Sequence, residues 1–279
     1  MNMTIKEAHR EAYALLTSAG VPEASHDAWH LLAHILKEEP LTLRLRTDRE
    51  LNGEQIRAFH DFVQRRAARE PLQYIEGETE FMGIRLRVDP RVLVPRYDTE
   101  TLCQEALKWI RPGDSVLDIG TGSGAVAIVL SARCPEAKVT AVDISLDALQ
   151  VAKENGSLNH VPVVWKHSDV FSALQGKRYQ MIVSNPPYIN SEEMAQLMPE
   201  VNREPHLALY GGEDGLAYYR RICSEAEDHL TLGGRILFEI GWQQKDAVSQ
   251  LLEEHIGKAY ALKDLGGNWR VVGAIRERA

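Results

Sequence analysis

The chain has 279 residues, 44 % of them hydrophobic and 26 % charged, with 32 Lys and Arg against 40 Asp and Glu for a net charge of −8. That apolar content excludes disorder as the main state, and the longest apolar stretch, residues 125–130, falls far short of the ~20 residues a membrane-spanning helix needs. The acidic excess counts against a general nucleic-acid binder, because phosphate contacts call for cations.

The first seventy residues read as helical. Ile5, Ala8, Ala12, Leu15, Leu16 and Ala19 recur at helical spacing, with Gly20 placed as a C-terminal cap. Pro22 starts a second helix that carries Trp29, Leu32, Ala33 and Leu36 on one face, and Pro40 breaks it. Asn52 caps a third, with Ile56, Phe59 and Val63 inward, ending near Arg69. No strand pattern interrupts this segment. It holds 10 Lys and Arg against 11 Asp and Glu, so nearly all of the acidic excess lies beyond it. His26, His30 and His34 form a stripe on the second helix, read as surface rather than metal-ligating because no cysteine or third cluster accompanies them. Arg65, Arg66 and Arg69 read as cations compensating a helix C-terminus. Residues 80–88 alternate as a strand or hairpin, and Pro90 and Pro95 bracket a rigid stretch, so residues 73–95 read as a connector.

From Thr99 onward, helix and strand patterns alternate. Strands are expected at 115–119, 138–142, 161–166, 179–184, 235–240 and 269–275. Helices are expected at 101–110, 125–133, 146–154, 216–230 and 243–254. This alternation implies a mostly parallel, doubly wound α/β sheet. Cys103, Cys134 and Cys223 are odd in number and far apart, so they read as buried small apolar residues. With no apolar signal region at the polar N-terminus, the expected compartment is the cytoplasm.

Two motifs carry chemistry. Asp118-Ile119-Gly120-Thr121-Gly122-Ser123-Gly124 follows a strand and opens a helix. Glycines let a ligand approach the backbone, and the helix start offers free N–H groups. The third glycine comes one residue early for a dinucleotide fingerprint. Asp118 would repel pyrophosphate but suits an ammonium group, and Asp143, ending the next strand, can accept both hydroxyls of a ribose. S-adenosylmethionine, an adenosine with an amino-acid tail, satisfies both acids. The second motif, Ser184-Asn185-Pro186-Pro187-Tyr188, closes another strand. The prolines fix two φ angles and leave neighbouring carbonyls as aimed acceptors. Asn185 adds a side-chain acceptor and Tyr188 a flat face, together a rigid slot for a planar NH₂.

This pair of motifs resembles the methyltransferases of planar amino groups, and the wider match resembles the HemK-type release-factor glutamine methyltransferases. The similar features are Arg69-Glu70-Pro71-Leu72-Gln73-Tyr74-Ile75, Phe81-Met82-Gly83, Val94-Pro95-Arg96 with Thr99-Glu100, and Asp118 to Gly124. They continue through Val142-Asp143, Ser168-Asp169, Asn185 to Tyr188, Glu200, Glu204-Pro205, Gly234, Glu239 with Gly241-Trp242-Gln243-Gln244, and Arg270-Val271-Val272.

The resemblance implies a doubly wound, seven-stranded, Rossmann-like S-adenosylmethionine-dependent methyltransferase domain preceded by a small all-α domain. It divides the chain into a helical substrate-docking domain (1–72), a β-hairpin connector (73–95) and a methyltransferase domain (96–279). The implied reaction is methylation of the side-chain amide nitrogen, N5, of the glutamine in the Gly-Gly-Gln motif of class 1 peptide chain release factors, with neither membrane nor nucleic acid as partner. Asp118, Gly120, Thr121, Gly122, Ser123, Gly124, Asp143 and Asn185 would hold the cofactor, with Asp169, Val170 and Phe171 beside its adenine. Asn185, Pro186, Pro187 and Tyr188 would hold the glutamine amide, with Asn185, Pro186 and Tyr188 catalytic and no metal involved. Two positions depart from the family: Val170 stands where relatives often carry Trp, and Tyr97-Asp98 replaces a commoner Pro-Glu. The competing reading is a DNA or RNA amino-methyltransferase acting on a flipped base. A nicotinamide dehydrogenase is disfavoured by the glycine spacing and Asp118, and a non-catalytic binding protein by the intact motifs.

Overall fold

The computed structural model describes residues 3–277, which divide into two compact units. One comprises the residues up to Gly77 together with Met198–Arg203; the other comprises Glu78–Leu197 and the residues from Glu204 on.

The first unit contains β1 (Met3–Thr4), α1 (Ile5–Ser18), α2 (Ala24–Leu36), α3 (Pro40–Arg44), β2 (Glu50–Leu51), α4 (Gly53–Ala67) and α5 (Leu72–Glu76). Capping boxes start two of the helices: Thr4 with Glu7 at α1, and Asn52 with Gln55 at α4. Ile5, Ala8, Leu16, Leu31, Leu32, Phe59 and Val63 form its dry core. The expectation of an uninterrupted helical segment is corrected in one respect: β1 and β2 pair antiparallel. Each strand has only two residues, too few for a period to register.

Arg65 and Arg66 lie in the last turn of α4, as expected, and the arginines there also pair with specific carboxylates. Arg65 pairs with Glu70 at 2.6 Å, and Arg66 is buried. Arg66 donates from Nε to Asp27 (2.7 Å), from Nη1 to the Glu70 carbonyl (3.2 Å) and from Nη2 to Glu200 (2.9 Å). Arg69 holds Glu200 with two bonds of 2.6 Å each. Arg203 donates to the Ala68 carbonyl at 2.7 Å. These bonds tie Met198–Arg203 to the helical unit. The His26 ring stacks on His30 with centroids 4.1 Å apart, and His30 lies 3.7 Å from Glu76.

The second unit begins with an antiparallel pair, β3 (Glu78–Phe81) and β4 (Ile84–Arg87), joined by the Met82-Gly83 turn. Then follow α6 (Glu100–Trp109), β5 (Ser115–Ile119), α7 (Ala125–Arg133), β6 (Lys138–Asp143), α8 (Leu146–Leu158), β7 (Val164–His167) and β8 (Tyr179–Ser184). After β8 come α9 (Ser191–Met194), α10 (His206–Leu209), α11 (Ala217–His229), β9 (Leu230–Glu239), α12 (Lys245–His255), β10 (Ala259–Lys263) and β11 (Trp269–Ile275).

Seven strands form one sheet in the order β10-β11-β9-β8-β5-β6-β7. The five from β9 to β7 are parallel, whereas β11 runs antiparallel to β9, and β10 pairs antiparallel with β11 at the edge. The strands alternate their side chains between two cores. Val116, Met181, Val183 and Leu237 face the core that contains α6 and α7. Leu117, Ile182, Ile236 and Phe238 face the core that contains α11 and α12. From β5 the chain moves outward to β6 and β7, then returns to β8 on the other side of β5. The strand order therefore reverses at β5 and β8, where doubly wound sheets open a ligand crevice at their carboxyl ends.

Three strands depart most from the pattern. β7 starts at Val164 rather than 161, because Pro162 has no N–H to pair. β9 starts at Leu230, running through Gly233 and Gly234 where a break was expected. β10 has no counterpart in the expected strands.

Candidate functional site

A cavity of about 340 Å³ opens at the carboxyl ends of β5, β6 and β8, within the ~300–1,000 Å³ of small-ligand sites. β5 delivers Asp118 and Ile119, β6 delivers Asp143, and β8 delivers Ser184 and Asn185.

The loop after β5 supplies backbone rather than side chains. Gly120 (φ +73°) and Gly122 (φ +55°) occupy the left-handed region, and a Cβ added to either would meet nothing within 4 Å. A ligand can therefore lie directly on their peptides. Thr121 and Ser123 line the same wall. Gly124 does not line the cavity. A Cβ there would lie 3.0 Å from Trp165, so this glycine seats a tryptophan of the core.

Two buried carboxylates face the cavity. Asp118 is 1 % exposed and accepts the Thr121 hydroxyl at 2.6 Å. Burial pushes its carboxyl up to about 7, and the Thr121 bond only partly offsets this. Asp143 takes the Gly122 N–H on one oxygen and the Ser145 N–H on the other, each at 2.9 Å. Burial raises its pKa too, against those backbone bonds. A buried carboxylate without a cation is poised for one, and a carboxylate with lone pairs to spare can accept from a diol.

Asp169 and Val170 line the cavity. Asp169 pairs with Arg221 at 2.8 Å. Val170 has φ +52°, a strained conformation for a β-branched residue. The Ser168 hydroxyl holds the turn by donating to the Val170 carbonyl at 2.8 Å. Phe171 is corrected. Its ring is buried and stacks on His229 at 4.2 Å, so it belongs to the core and offers no face to a ligand.

Asn185, Pro186 and Pro187 line the opposite wall. Tyr188 does not, because its ring packs against the core beneath. Burial raises the phenol, so it stays protonated. The Gln244 side chain clamps this loop by donating to the Tyr188 carbonyl at 3.0 Å and the Gly215 carbonyl at 3.2 Å. Gly211 packs so close that a Cβ would fall 2.6 Å from the Pro187 carbonyl.

Sequence reasoning assigned no role to three contributors. Thr99, which ends a short 3-10 turn (Tyr97–Thr99), lines the cavity and accepts the Asn185 Nδ2–H at 3.2 Å. Glu204 is buried, accepts the Val94 N–H at 3.1 Å and pairs with Arg96, so it holds the segment that carries Arg96 into the cavity wall. Glu239, at the end of β9, is 1 % exposed, and burial pushes its carboxyl up to about 7. Their only signal was membership in the resembling motifs, since each partner is remote in sequence. Asp98, one of the two departures, pairs with Arg270 at 2.9 Å. Of the cysteines, Cys103 and Cys223 are buried, but Cys134 is only partly so.

Two family models match the chain: Methyltransferase small domain over residues 99–203, and PrmC N-terminal domain over residues 7–77. A protein of Deinococcus radiodurans named release factor glutamine methyltransferase is 40 % identical, covering 98 % of this chain and 99 % of its own. One of the same name from Cereibacter sphaeroides is 43 % identical, covering 98 % of each. Among solved structures, a Pyrococcus furiosus methyltransferase aligns with TM-score 0.56 at 20 % identity, over 71 % of this chain and 90 % of its own. A Thermus thermophilus 16S rRNA methyltransferase, solved with AdoMet and guanosine, aligns with TM-score 0.53 at 21 % identity, over 71 % of this chain and 49 % of its own. Both likenesses are of fold.

Proposed function

The chain belongs to the release factor glutamine methyltransferase family, and from that premise we propose that it methylates the side-chain amide nitrogen, N5, of the glutamine in the Gly-Gly-Gln motif of class 1 peptide chain release factors. The observation that carries the reading is the shared cavity: the amide slot at Asn185-Pro186-Pro187 and the glycine loop at Gly120 and Gly122 line one space. We assign protein-substrate docking to the helical unit.

When bound, S-adenosylmethionine supplies an activated methyl group on a sulfonium. The peptides of Gly120 and Gly122 would lie against it, with Thr121 and Ser123 alongside. Asp118 would accept its ammonium group and Asp143 its ribose hydroxyls. Asp169 and Val170 would flank the adenine.

The protein substrate presents a weak nucleophile, because an amide nitrogen shares its lone pair with the carbonyl. Asn185 Oδ1 and the Pro186 carbonyl would accept the two N–H groups and so fix the nitrogen's orientation. Orientation of this kind is worth up to ~7–11 kcal/mol in favourable cases. The same two acceptors stabilise positive charge as it builds on nitrogen. Pro187 stiffens the slot, and Tyr188 anchors it from below. The reaction is tested by incubating the enzyme with methyl-labelled S-adenosylmethionine and either purified release factor or RNA and DNA. Label is expected in the release factor, and label confined to nucleic acid would overturn the reading.

Asp118 makes cofactor binding pH-dependent. Its carboxyl is raised to about 7 by burial, so below that pH it must lose a proton before it can pair with an ammonium. Affinity should fall about tenfold per pH unit below about 7 and level off above it. Calorimetric titration across this range checks it. Asp118→Asn should bind more weakly at pH 8 and lose the slope; a flat profile in the unaltered protein would contradict the assignment.

A further inference from the structure

Resting on the proposed function, we infer that Tyr97, Trp242 and Leu265 form an apolar rim beside the amide slot, and that this rim takes the residues of the protein substrate that flank the target glutamine. All three side chains stand in solvent: Tyr97 is 84 % exposed, Trp242 58 % and Leu265 fully. They lie on three separate segments: Tyr97 in the 3-10 turn before α6, Trp242 after β9, and Leu265 between β10 and β11. One buried side chain gathers these segments. The Arg270 guanidinium pairs with Asp98 at 2.9 Å and Asp264 at 3.2 Å, and it donates to the Ile240 carbonyl at 3.5 Å. The Arg270 carbonyl in turn accepts the Ile240 N–H at 2.9 Å. Tyr97 precedes Asp98, Leu265 follows Asp264, and Trp242 comes two residues after Ile240. Each exposed side chain therefore belongs to a segment that Arg270 fastens, and the three segments converge on one point of the surface.

Two of these segments also hold the slot. Two residues after Tyr97, Thr99 accepts the Asn185 Nδ2–H at 3.2 Å. Two residues after Trp242, Gln244 donates to the Tyr188 carbonyl at 3.0 Å, and a Cβ on Gly241 would lie 3.4 Å from the Tyr188 ring. Tyr97 is thus tied to the Asn185 end of the motif and Trp242 to its Tyr188 end. Two residues of extended chain span about 7 Å, so the neighbours of a glutamine seated in the slot reach the rim. Large apolar side chains gathered in water mark an interaction surface. Tyr and Trp supply wide, rigid contact area at low entropic cost and are enriched among the residues that carry binding energy. The rim's chemistry selects a peptide. The half-exposed Asp98 carboxylate at its base would repel a phosphate backbone, and Arg270 is committed to two carboxylates. Lys245 and Lys263 lie over the Trp269 ring, each 4.9 Å from its centroid, and Lys245 also pairs with Asp246 at 2.7 Å. An uncharged stretch of protein backbone meets no such repulsion.

The test measures release-factor methylation and binding in Tyr97→Ala, Trp242→Ala and Tyr97→Phe. Each alanine variant should raise KM for release factor about tenfold, with kcat within about three-fold and the S-adenosylmethionine Kd within about two-fold. Tyr97→Phe keeps the ring and should stay within about three-fold of the unaltered KM. Calorimetric titration of release factor into enzyme loaded with S-adenosylhomocysteine should show the same tenfold loss of affinity without turnover. The unchanged cofactor Kd reports that each variant is folded. Unaltered KM and release-factor Kd in both alanine variants would overturn the inference, and so would a loss confined to kcat, which would make these residues supports of the slot. Weakened binding of an RNA or DNA oligonucleotide in place of release factor, or a dimer of the unaltered enzyme that Trp242→Ala dissociates in sedimentation, would give the rim another occupant and overturn it as well. Release factor left unmethylated by the unaltered enzyme refutes the proposed function; release factor methylated equally well by the unaltered enzyme and both alanine variants refutes the rim alone.

Discussion

Replacing Asn185 by Ala should lower kcat about 10³-fold while cofactor affinity stays within a few-fold. The argument runs from the position of the side chain. Asn185 sits at the carboxyl end of β8, held by Thr99 and followed by two prolines that fix the backbone. Its acceptor is therefore oriented before substrate arrives, and removing one such preorganised group costs about 10²–10³ in turnover in other enzymes. The larger end of that range is expected because the attacking amide is a poor nucleophile and nothing else in the slot replaces the lost acceptor. The truncation leaves Asp118, Asp143 and the glycine peptides untouched, so cofactor titration serves as the control for folding. Asn185→Gln should recover little, because one extra methylene moves the acceptor by more than about 1 Å and misplacement on that scale alone costs about 10²-fold. Turnover within about tenfold of normal in Asn185→Ala would remove this residue from the mechanism.

Arg66→Ala should destabilise the helical unit by about 3–5 kcal/mol, because it strips a buried carboxylate of its ion-pair partner. Arg66 and Asp27 are both almost fully buried, and Arg66 also bonds Glu200 and the Glu70 carbonyl. Arg66→Lys should recover less than half of the loss, since one ammonium cannot span three acceptors placed around a guanidinium fork. Glu200 adds a pH signature. Burial pushes its carboxyl up, but bonds from Arg69 and Arg66 outweigh this and hold it down to about 2. A carboxyl depressed on folding contributes stability above its unfolded pKa and loses it as pH falls toward the folded one. The unaltered protein should therefore lose stability between about pH 4.5 and 2, and Glu200→Gln should lose less over that window. Urea unfolding across pH measures both effects; a loss below about 1 kcal/mol in Arg66→Ala would show that the cluster is no more than a surface network.

The parts of this architecture that were legible in the sequence are those set by neighbouring residues. The continuous apolar run of Met181, Ile182 and Val183 marks a strand buried on both faces, and the glycines after Ile119 mark a tight, open loop. Asn185-Pro186-Pro187 was legible for the same reason, because proline fixes local geometry wherever it stands. What escaped is long-range. Nothing near Glu200 indicates that it meets Arg66 and Arg69, which lie more than a hundred residues earlier. Phe171 follows Asp169 and Val170 so closely that it read as part of the adenine wall, but the turn at Val170 sends its ring to His229. β10 was missed because Ala259, Ala261 and Lys263 favour helices, and only pairing with β11 makes that segment a strand. Thr99 shows the same limit in the site itself: it is ordinary where it stands and gains its role from Asn185 on another element.

The central claim concerns one atom, the side-chain nitrogen of one glutamine. Release factor from a strain lacking this enzyme, incubated with the enzyme and S-adenosylmethionine, should gain a single methyl group. Peptide fragmentation by mass spectrometry should place that methyl on the glutamine side chain of the Gly-Gly-Gln motif, and the transfer should vanish with Asn185→Ala. A methyl found on any other residue, or an unmodified release factor alongside a methylated nucleic acid, would contradict the account.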